Sequence, residues 1–340
     1  MKRKSLNVPK LKQNLLEDKK VTNLYSKLKK NLSKNKNCKS LIIAVSGGPD
    51  SMALAGLANM IVEEKRYKIY FALVDHGIRK NSHKEALGVK KLLKKQNMKL
   101  TILTNKKKIT KNIQKNARDI RYELLTKFCN KNKSKFLVTA HHQDDQIETF
   151  FIRLSRGSGI EGLSSMSEKT KIKNNIILLR PFLEINKKDL SYVAKRIFGK
   201  SIKDPTNSNK KFLRTKIRDL KKILEQKGLD IKSIARSIKN ISSTKDAINF
   251  YVSKSMRKFV KFKKKETILN LSDFKKEPEE IKFRIINRVV RMRAKTYYPP
   301  RSQKVLNLIN RFEDNKLKKC TLGGCMFEKR KNLLHVSREF

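Results

Sequence analysis

The sequence has no tryptophan, four cysteines, and 30 acidic residues against 84 basic ones in a chain of 340 residues. The cysteines form neither a CxxC pair nor a Cys/His cluster at zinc-ligand spacing, which argues against a disulfide scaffold and a structural zinc site. No apolar run approaches the ~20 residues that cross a bilayer, and the basic start leads into no apolar signal segment. We therefore expect a cytoplasmic protein with no membrane partner.

The shortage of acidic residues leaves a net charge of +54 (84 − 30). A charge of this size favours a polyanionic partner such as nucleic acid, although drift toward a composition rich in Lys, Asn and Ile is an alternative cause. Hydrophobic residues make up 38% of the chain, and 16 Phe with 8 Tyr can seed a core, which excludes a wholly disordered basic tail. The length predicts two or three domains.

Apolar runs of strand length alternate with helical patterns through the first half of the chain. The run LIIAV, residues 41–45, is continuously apolar, as is typical of a strand buried on both faces of a parallel sheet. The alternation predicts an α/β fold with a doubly wound parallel sheet, in which ligands bind beyond the carboxyl ends of the strands. The predicted strands are 41–45, 69–75, 100–104, 135–140 and 176–182, and the predicted helices among them are 52–64, 84–95, 113–128 and 144–154.

After residue 182 the chain becomes mostly helical in pattern, and a smaller, mostly helical second domain is predicted toward its end. Helical patterns cover residues 187–198, 212–227 and 281–295, and a β-hairpin around Gly323 and Gly324 closes the chain. We place the boundary near residue 225, which gives a first domain at 39–225 and a second at 226–340. Residues 1–38 are rich in Lys and Asn and predict a solvated basic leader without chemistry.

The segment SGGPDS, residues 46–51, follows the first predicted strand and opens the next helix. Two glycines permit a tight turn whose N–H groups point inward, and the helix N-terminus adds partial positive charge, so the segment predicts a phosphate site. It matches neither a Walker A loop nor a GxGxxG fingerprint. The alternative is an ordinary strand-to-helix turn with Asp50 and Ser51 as first-turn caps.

A second polar cluster, HHQDDQIE, follows the fourth predicted strand at residues 141–148. Asp145 and Glu148 lie three apart on the predicted helix, so both carboxylates share one face and are suited to Mg²⁺ or a substrate ammonium group. Asp144 points elsewhere and is expected to cap the helix. A solvated acidic helix start is the alternative, but acidic residues concentrated at one strand end of a +54 chain favour a bound cation.

Two arginine pairs and one histidine are candidates to contact an anionic ligand. Arg118 and Arg121 lie three apart on one predicted helix, and Arg214 and Arg218 lie four apart on another, so each pair is suited to clamp a phosphate. A solvated basic face is the alternative in a chain so rich in lysine. His76, in VDHGIR, either contacts a nucleotide at the end of the second strand or has a structural role.

Five segments together resemble one family, the tRNA(Ile)-lysidine synthases, which belong to the PP-loop ATP pyrophosphatases. They are SGGPDSMAL, VDHGIRK, NARDIRYELL, HHQDDQIETFFIRLSRGSG and DPTNSNKKFLRTKIR. The likeness runs through roughly residues 40–220, and the closing TLGGC and VSRE are similar as well. The chain resembles the shorter forms of the family, with an abbreviated C-terminal region. Thr215 departs from the pattern, since the family usually has asparagine there.

The resemblance implies a two-step reaction that uses ATP, Mg²⁺ and free L-lysine. ATP adenylates the carbonyl oxygen at carbon 2 of the wobble cytidine in the isoleucine tRNA with a CAU anticodon, and the ε-amine of lysine then displaces AMP to give lysidine. Residues 39–225 would be the catalytic domain and 226–340 a tRNA-binding domain, with no DNA partner.

The resemblance also implies a role for each candidate residue. Asp50, Asp145 and Glu148 would be the catalytic residues. Asp50 would also bind ATP and help to place Mg²⁺, and Asp145 and Glu148 would bind lysine. The implied ATP-binding residues are Ser46, Gly47, Gly48, Pro49, Asp50, Ser51 and His76, and the implied tRNA or nucleotide contacts are Arg118, Arg121, Arg214 and Arg218.

Three other functions stay open. Another PP-loop tRNA modifier, such as a thiolase, would need a cysteine pair to carry sulfur or a cluster, and the scattered cysteines argue against it. Amide-forming relatives such as NAD synthetase would have no use for the charge. A non-catalytic RNA-binding protein on a degenerate nucleotide-binding fold would not need residues 46–51, Asp145 and Glu148 intact.

Overall fold

The computed structural model describes residues 10–35, 38–62, 67–79, 81–107, 109, 112–199, 213–295, 300–314 and 318–339. The chain divides into two compact units, Met1–Lys239 and Asn240–Phe340. The division falls inside a long helix, α10 (Ile231–Phe259), later than the boundary expected near residue 225. No Gly or Pro interrupts the helical pattern of α10, so the sequence contains no sign of a domain boundary at this point.

The first unit is built on a six-stranded sheet. Its strands are β1 (Ser40–Val45), β2 (Lys68–Asp75), β3 (Leu100–Thr104), β4 (Phe136–Val138), β5 (Lys169–Lys171) and β6 (Ile177–Leu179). Their order is β3-β2-β1-β4-β6-β5, and every pairing is parallel except that of β5 with β6. The predicted parallel α/β sheet is therefore confirmed.

Helices cover both faces of this sheet. They are α1 (Lys10–Glu17), α2 (Lys19–Ser33), α3 (Pro49–Val62), α4 (Ser82–Lys94), α5 (Ile113–Lys131), α6 (Gln143–Leu154), α7 (Ile160–Leu163), α8 (Lys187–Phe198) and α9 (Leu213–Gln226), with a 3₁₀ turn at Lys173–Asn175. Leu41 and Ile43 of β1 pack in the core that contains α2, α3 and α8, while Ile42 packs in a separate cluster with Leu125 and Cys129 of α5. Because successive side chains point to opposite faces, a strand covered on both sides reads as a continuous apolar run.

Helix α2 corrects the expectation of a solvated leader. Val21, Leu28 and Leu32 are completely buried in the main core of the first unit. Asp18 caps the helix, accepting the Lys20 backbone N–H at 2.9 Å, and also accepts the Tyr192 hydroxyl at 2.6 Å. The lysines of α2 lie mostly on its outer face, which is why the segment reads as solvated from composition alone.

Two predicted strands are shorter than expected. Residues 135–140 and 176–182 contribute only Phe136–Val138 and Ile177–Leu179, and beyond them the chain pairs again only at a single bridge between His142 and Phe182. The early end of β4 frees residues 139–142 to turn toward the carboxyl edge of the sheet. The segment DPTNSNKKF, residues 204–212, lies outside the described residues.

The second unit combines helices with an antiparallel sheet. Besides the end of α10 it contains α11 (Leu271–Lys275), α12 (Glu279–Ala294), α13 (Ser302–Glu313), β7 (Val260–Phe262), β8 (Glu266–Asn270), β9 (Lys319–Leu322), β10 (Cys325–Arg330) and β11 (Leu333–Arg338). The predicted closing hairpin is present within a five-stranded sheet of order β7-β8-β11-β10-β9. Gly323 and Gly324 form its turn at φ values of +61° and +77°, a backbone shape that favours glycine. Among the described residues, none of the helices has the length and apolar character required to cross a membrane.

Candidate active site at the carboxyl edge of the sheet

The glycine turn between β1 and α3 is held by one hydroxyl group. Ser51 Oγ accepts hydrogen bonds from the Ser46 backbone N–H at 3.0 Å and from the Ser46 hydroxyl at 3.1 Å, and donates to the Gly48 carbonyl at 2.9 Å. Gly47 has a φ of +86°, and a Cβ atom there would lie 2.7 Å from Cγ2 of Val89 on α4. The turn therefore depends on glycine and precedes a helix N-terminus, which together suit an anion.

His142 joins this turn to the start of α6. Its Nε2 atom lies 3.5 Å from Oδ2 of Asp50 and 3.5 Å from Oδ2 of Asp145. The same Asp145 oxygen accepts the His142 backbone N–H at 3.1 Å, so Asp145 rather than Asp144 caps α6. The His142 side chain is only 5% exposed. One buried imidazole thus connects carboxylates that follow two adjacent strands, β1 and β4.

The surroundings of His142 favour its charged form. Burial lowers its pKa, but the hydrogen bond to Asp50 and the charges of Asp145, Asp50 and Asp144 outweigh that effect, so the pKa lies above its ordinary value of 6.5. In its protonated form the imidazole compensates part of the negative charge of Asp50 and Asp145.

Asp50 has the donor atom that a magnesium ligand needs. Its Oδ1 atom is buried and has no hydrogen-bond partner within the described ranges. Mg²⁺ commonly takes one or two protein carboxylates and completes its shell with water and substrate phosphates. In the described part of the chain, no group of three or more His, Cys, Asp or Glu side chains could hold a metal by itself. Asp50 therefore fits Mg²⁺ in combination with a bound phosphate.

Two ion pairs hold α9 against α6. Arg218 Nε donates to Glu148 Oε1 at 2.5 Å, and Arg218 Nη2 lies 3.5 Å from Glu148 Oε2. Lys221 Nζ donates to Asp144 Oδ1 at 3.0 Å. The Glu148 side chain is 3% exposed, and Arg218 is its partner. Burial lowers the pKa of Arg218. The hydrogen bond to Glu148 and the charges of Glu148, Asp145 and Asp144 outweigh that effect, so the pKa is raised on balance.

The other three arginines predicted for the site, Arg118, Arg121 and Arg214, lower the pKa of one histidine, His141. Burial and the charges of Arg180, Arg118, Arg214 and Arg121 hold the pKa of His141 well below its ordinary value. The His141 Nδ1 atom lies 2.8 Å from the Thr139 hydroxyl. The charges of these arginines therefore add positive potential at a histidine that they hold in its neutral form. Such a region attracts phosphate groups.

His76 lies at the end of β2, beside a cavity of about 370 Å³ lined by Gly77, Ile78, Asn105, Lys106, Lys107 and Ile109. The Asn105 side-chain amide donates to the His76 carbonyl at 3.1 Å. Burial and the charge of Arg121 lower the pKa of His76 to about 4 despite the opposing charge of Asp75. The imidazole is neutral near pH 7, and its Nδ1 atom is buried without a hydrogen-bond partner in the described residues.

The structure therefore joins some predicted site residues and separates others. It links Asp50 with Asp145 through His142 and pairs Glu148 with Arg218. Arg118, Arg121 and Arg214 are connected to the site only through their effect on the pKa of His141. Residues absent from the predicted site are His141, His142, Arg180 and Lys221. The HHQDD pattern places both histidines at a strand end, whereas nothing in the sequence distinguishes Lys221 or Arg180 from the many other cations.

Comparison with protein families gives a match over most of the first unit. A PP-loop domain matches residues 19–226. The match includes α2, α3, α6 and α9 with the glycine turn.

Curated relatives match over a longer part of the chain. A protein of Wolbachia pipientis wMel named tRNA(Ile)-lysidine synthase is 34% identical over 303 residues, which is 87% of this chain and 70% of the relative. Proteins of the same name from Orientia tsutsugamushi and Rickettsia typhi are 34% and 31% identical, over 88% and 93% of this chain and 70% and 74% of their own lengths.

A solved structure also shares the fold. The U34-tRNA thiolase of Methanococcus maripaludis, solved with its iron–sulfur cluster, aligns with a TM-score of 0.54 at 20% identity. The alignment covers 66% of this chain and 79% of the thiolase. At this identity the likeness concerns the fold alone.

Proposed function

The chain belongs to the tRNA(Ile)-lysidine synthases, a family of PP-loop enzymes, and from this membership we propose that it is an ATP-dependent ligase that forms lysidine in an isoleucine tRNA. In the proposed reaction ATP adenylates the carbonyl oxygen at carbon 2 of the wobble cytidine and releases pyrophosphate. The ε-amine of free L-lysine then displaces AMP. The observation that carries the proposal at the site is the Ser51-held glycine turn joined through His142 to the carboxylates of α6.

We propose that residues 46–51 bind the phosphates of ATP. The turn ends in the first residues of α3, where the helix dipole favours negative charge. His76 and its cavity at the end of β2 would receive the nucleoside part of ATP, since the cavity is lined by both polar and apolar residues and His76 is neutral. The arginines around His141 would contact phosphates of the nucleotide or of the tRNA.

Asp50, with its unpaired Oδ1 atom, is the residue we assign to Mg²⁺. When bound, this ion would neutralise phosphate charge and expose the α-phosphorus to attack. Asp145 orients His142 through its backbone and lies beside its side chain, so it fixes the position of the Asp50 carboxylate indirectly.

We assign Asp145 and Glu148 to an ammonium group of lysine, because they lie three residues apart on α6 and so share one face of that helix. The amine that attacks the adenylated cytidine must be neutral, whereas an unperturbed lysine side chain has a pKa near ~10.4, so a base must accept a proton. The anticodon base would have to leave its stack to reach the site.

The tRNA is assigned to both units. The net charge of +54 would attract the phosphate backbone without reading sequence, and residues 226–340 would supply a tRNA-binding domain. The CAU anticodon and the absence of a DNA substrate belong to the same proposal, and a tRNA substrate implies that the reaction takes place in the cytoplasm.

The test is incubation of the purified protein with ATP, Mg²⁺, radiolabelled lysine and total bacterial tRNA, followed by nucleoside analysis. Label in a modified cytidine that requires ATP and is absent with DNA or ribosomal RNA would support the proposal. Release of AMP only when a sulfur donor is added would favour a thiolase instead. No release of AMP with any tRNA would leave a non-catalytic RNA-binding protein as the better explanation.

A further inference from the structure

Glu148 already has a cationic partner within the protein. Both of its carboxylate oxygens face Arg218, at 2.5 Å from Nε and 3.5 Å from Nη2, and its side chain is 3% exposed. A buried carboxylate is stable only when it is paired, and removal of one partner from such a pair is strongly destabilising. A second cation can therefore reach Glu148 only by replacing the guanidinium group.

The helix that carries Arg218 buries few apolar side chains. Ile217 is the buried residue of α9, whereas Leu213, Leu220 and Ile223 are exposed. The second pair, Lys221 with Asp144, also joins α9 to the first turn of α6. An element that buries few apolar side chains opens at a lower free-energy cost than the core.

We propose that Arg218 competes with the ammonium group of substrate lysine for Glu148, so that lysine binds only when α9 has withdrawn from α6. The inference rests on the proposed function, because it takes from it the assignment of Glu148 to lysine. Exchange of one cation for another keeps the buried carboxylate paired throughout. Arg218 is then a positioning residue that sets lysine affinity, in place of the tRNA or nucleotide contact expected for it.

Competition of this kind lowers apparent affinity without changing the chemical step. When a ligand binds only to an open state, its apparent dissociation constant is its intrinsic dissociation constant divided by the fraction of molecules in that state. Removal of the competing guanidinium group should therefore lower the KM for lysine, while adenylation of the tRNA should proceed at its former rate.

The first experiment compares Arg218→Gln, Arg218→Lys and the wild type in lysidine formation. We expect the KM for lysine to fall about tenfold in Arg218→Gln, equivalent to about 1.4 kcal/mol, and to take an intermediate value in Arg218→Lys. Because Arg218→Gln leaves Glu148 without its cation, the folded fraction of each variant is first measured by circular dichroism. Per folded protein, release of pyrophosphate with tRNA but without lysine should keep the wild-type rate. Lys222→Gln is the matched control on the same helix, because Lys222 is exposed and lies 4.0 Å from Asp219 rather than near α6.

A KM for lysine that stays the same or rises in Arg218→Gln overturns the inference. Slower pyrophosphate release or weaker tRNA binding would also overturn it and would show that Arg218 contacts the tRNA or the nucleotide. If wild-type protein forms no lysidine, the proposed function fails instead.

A second measurement needs no variant. Hydrogen exchange of the wild type at saturating lysine should become faster in α9 and remain unchanged in α8. Unchanged or slower exchange in α9 contradicts the competition.

Discussion

Asp50 and Asp145 place one carboxylate oxygen each at 3.5 Å from the same nitrogen, His142 Nε2. Asp50 follows β1 and Asp145 follows β4, so the shared imidazole fixes the distance between the phosphate turn and the acidic helix. A change at either carboxylate should therefore affect chemistry more than folding, provided that the hydrogen bonds survive.

Asp145→Asn separates the charge of Asp145 from its structural role. The asparagine oxygen can still accept the His142 backbone N–H, so α6 keeps its cap. We expect lysine transfer to fall by about 100-fold, because an ammonium ligand loses its charged partner, while tRNA affinity stays within about twofold. Asp189→Asn, which changes an exposed acid near Lys20, is the control. Unimpaired lysine transfer in Asp145→Asn would remove Asp145 from the lysine site.

Gly47→Ala tests whether the turn depends on glycine. Alanine at a φ of +86° costs about 1–2 kcal/mol, and its Cβ would lie 2.7 Å from Val89. We expect a lower melting temperature and weaker ATP binding, with part of both effects reversed by a second change, Val89→Ala. Gly88→Ala is the matched control, because its Cβ would meet nothing within 4 Å and alanine favours the helix by about 0.5–1 kcal/mol. Equal behaviour of the two alanine variants would show that the turn tolerates a side chain.

The pKa of His76 predicts a loss of stability in mild acid. The unfolded chain binds a proton at His76 near pH ~6.5, whereas the folded protein does so only near its pKa of about 4. The free energy of unfolding should therefore fall as the pH decreases between these values, and His76→Gln should reduce the slope. Urea unfolding followed by circular dichroism across this range measures it. His335→Gln in the second unit is the control, and an unchanged slope in His76→Gln would contradict the prediction.

The cysteines are predicted to be unreactive in the folded protein. Burial raises the pKa of Cys38 and of Cys129 to about 12, and it also raises the pKa values of Cys320 and Cys325. Because the thiolate is the reactive form, an aromatic disulfide reagent at about pH 8 should label the native protein slowly and all four cysteines rapidly in denaturant. Cys320 should react first, since it is the least buried. Rapid labelling of Cys38 or Cys129 would contradict this and reopen sulfur chemistry.

The sequence predicts the sheet well, because each central strand is a short apolar run between helical patterns. It predicts α2 poorly, since the spacing of Leu24, Leu28 and Leu32 is visible but the surrounding lysines suggest solvent. The candidate site is likewise predictable only where its residues are close in sequence. Asp145 and Glu148 share a helix face by spacing alone, whereas the partner of Glu148 lies 70 residues away, and only the fold brings Arg218 to it.

The place of α2 in the core has a consequence for synthesis on the ribosome. This early helix packs with α8, and Asp18 accepts a hydrogen bond from Tyr192, 174 residues later in the chain. The apolar face of α2 therefore remains exposed until α8 has left the exit tunnel. Contacts so distant in sequence form late and leave apolar surface accessible in the meantime. A chaperone that covers the apolar face of α2 would protect the nascent chain in this interval, and the first unit completes its folding only after α8 has emerged.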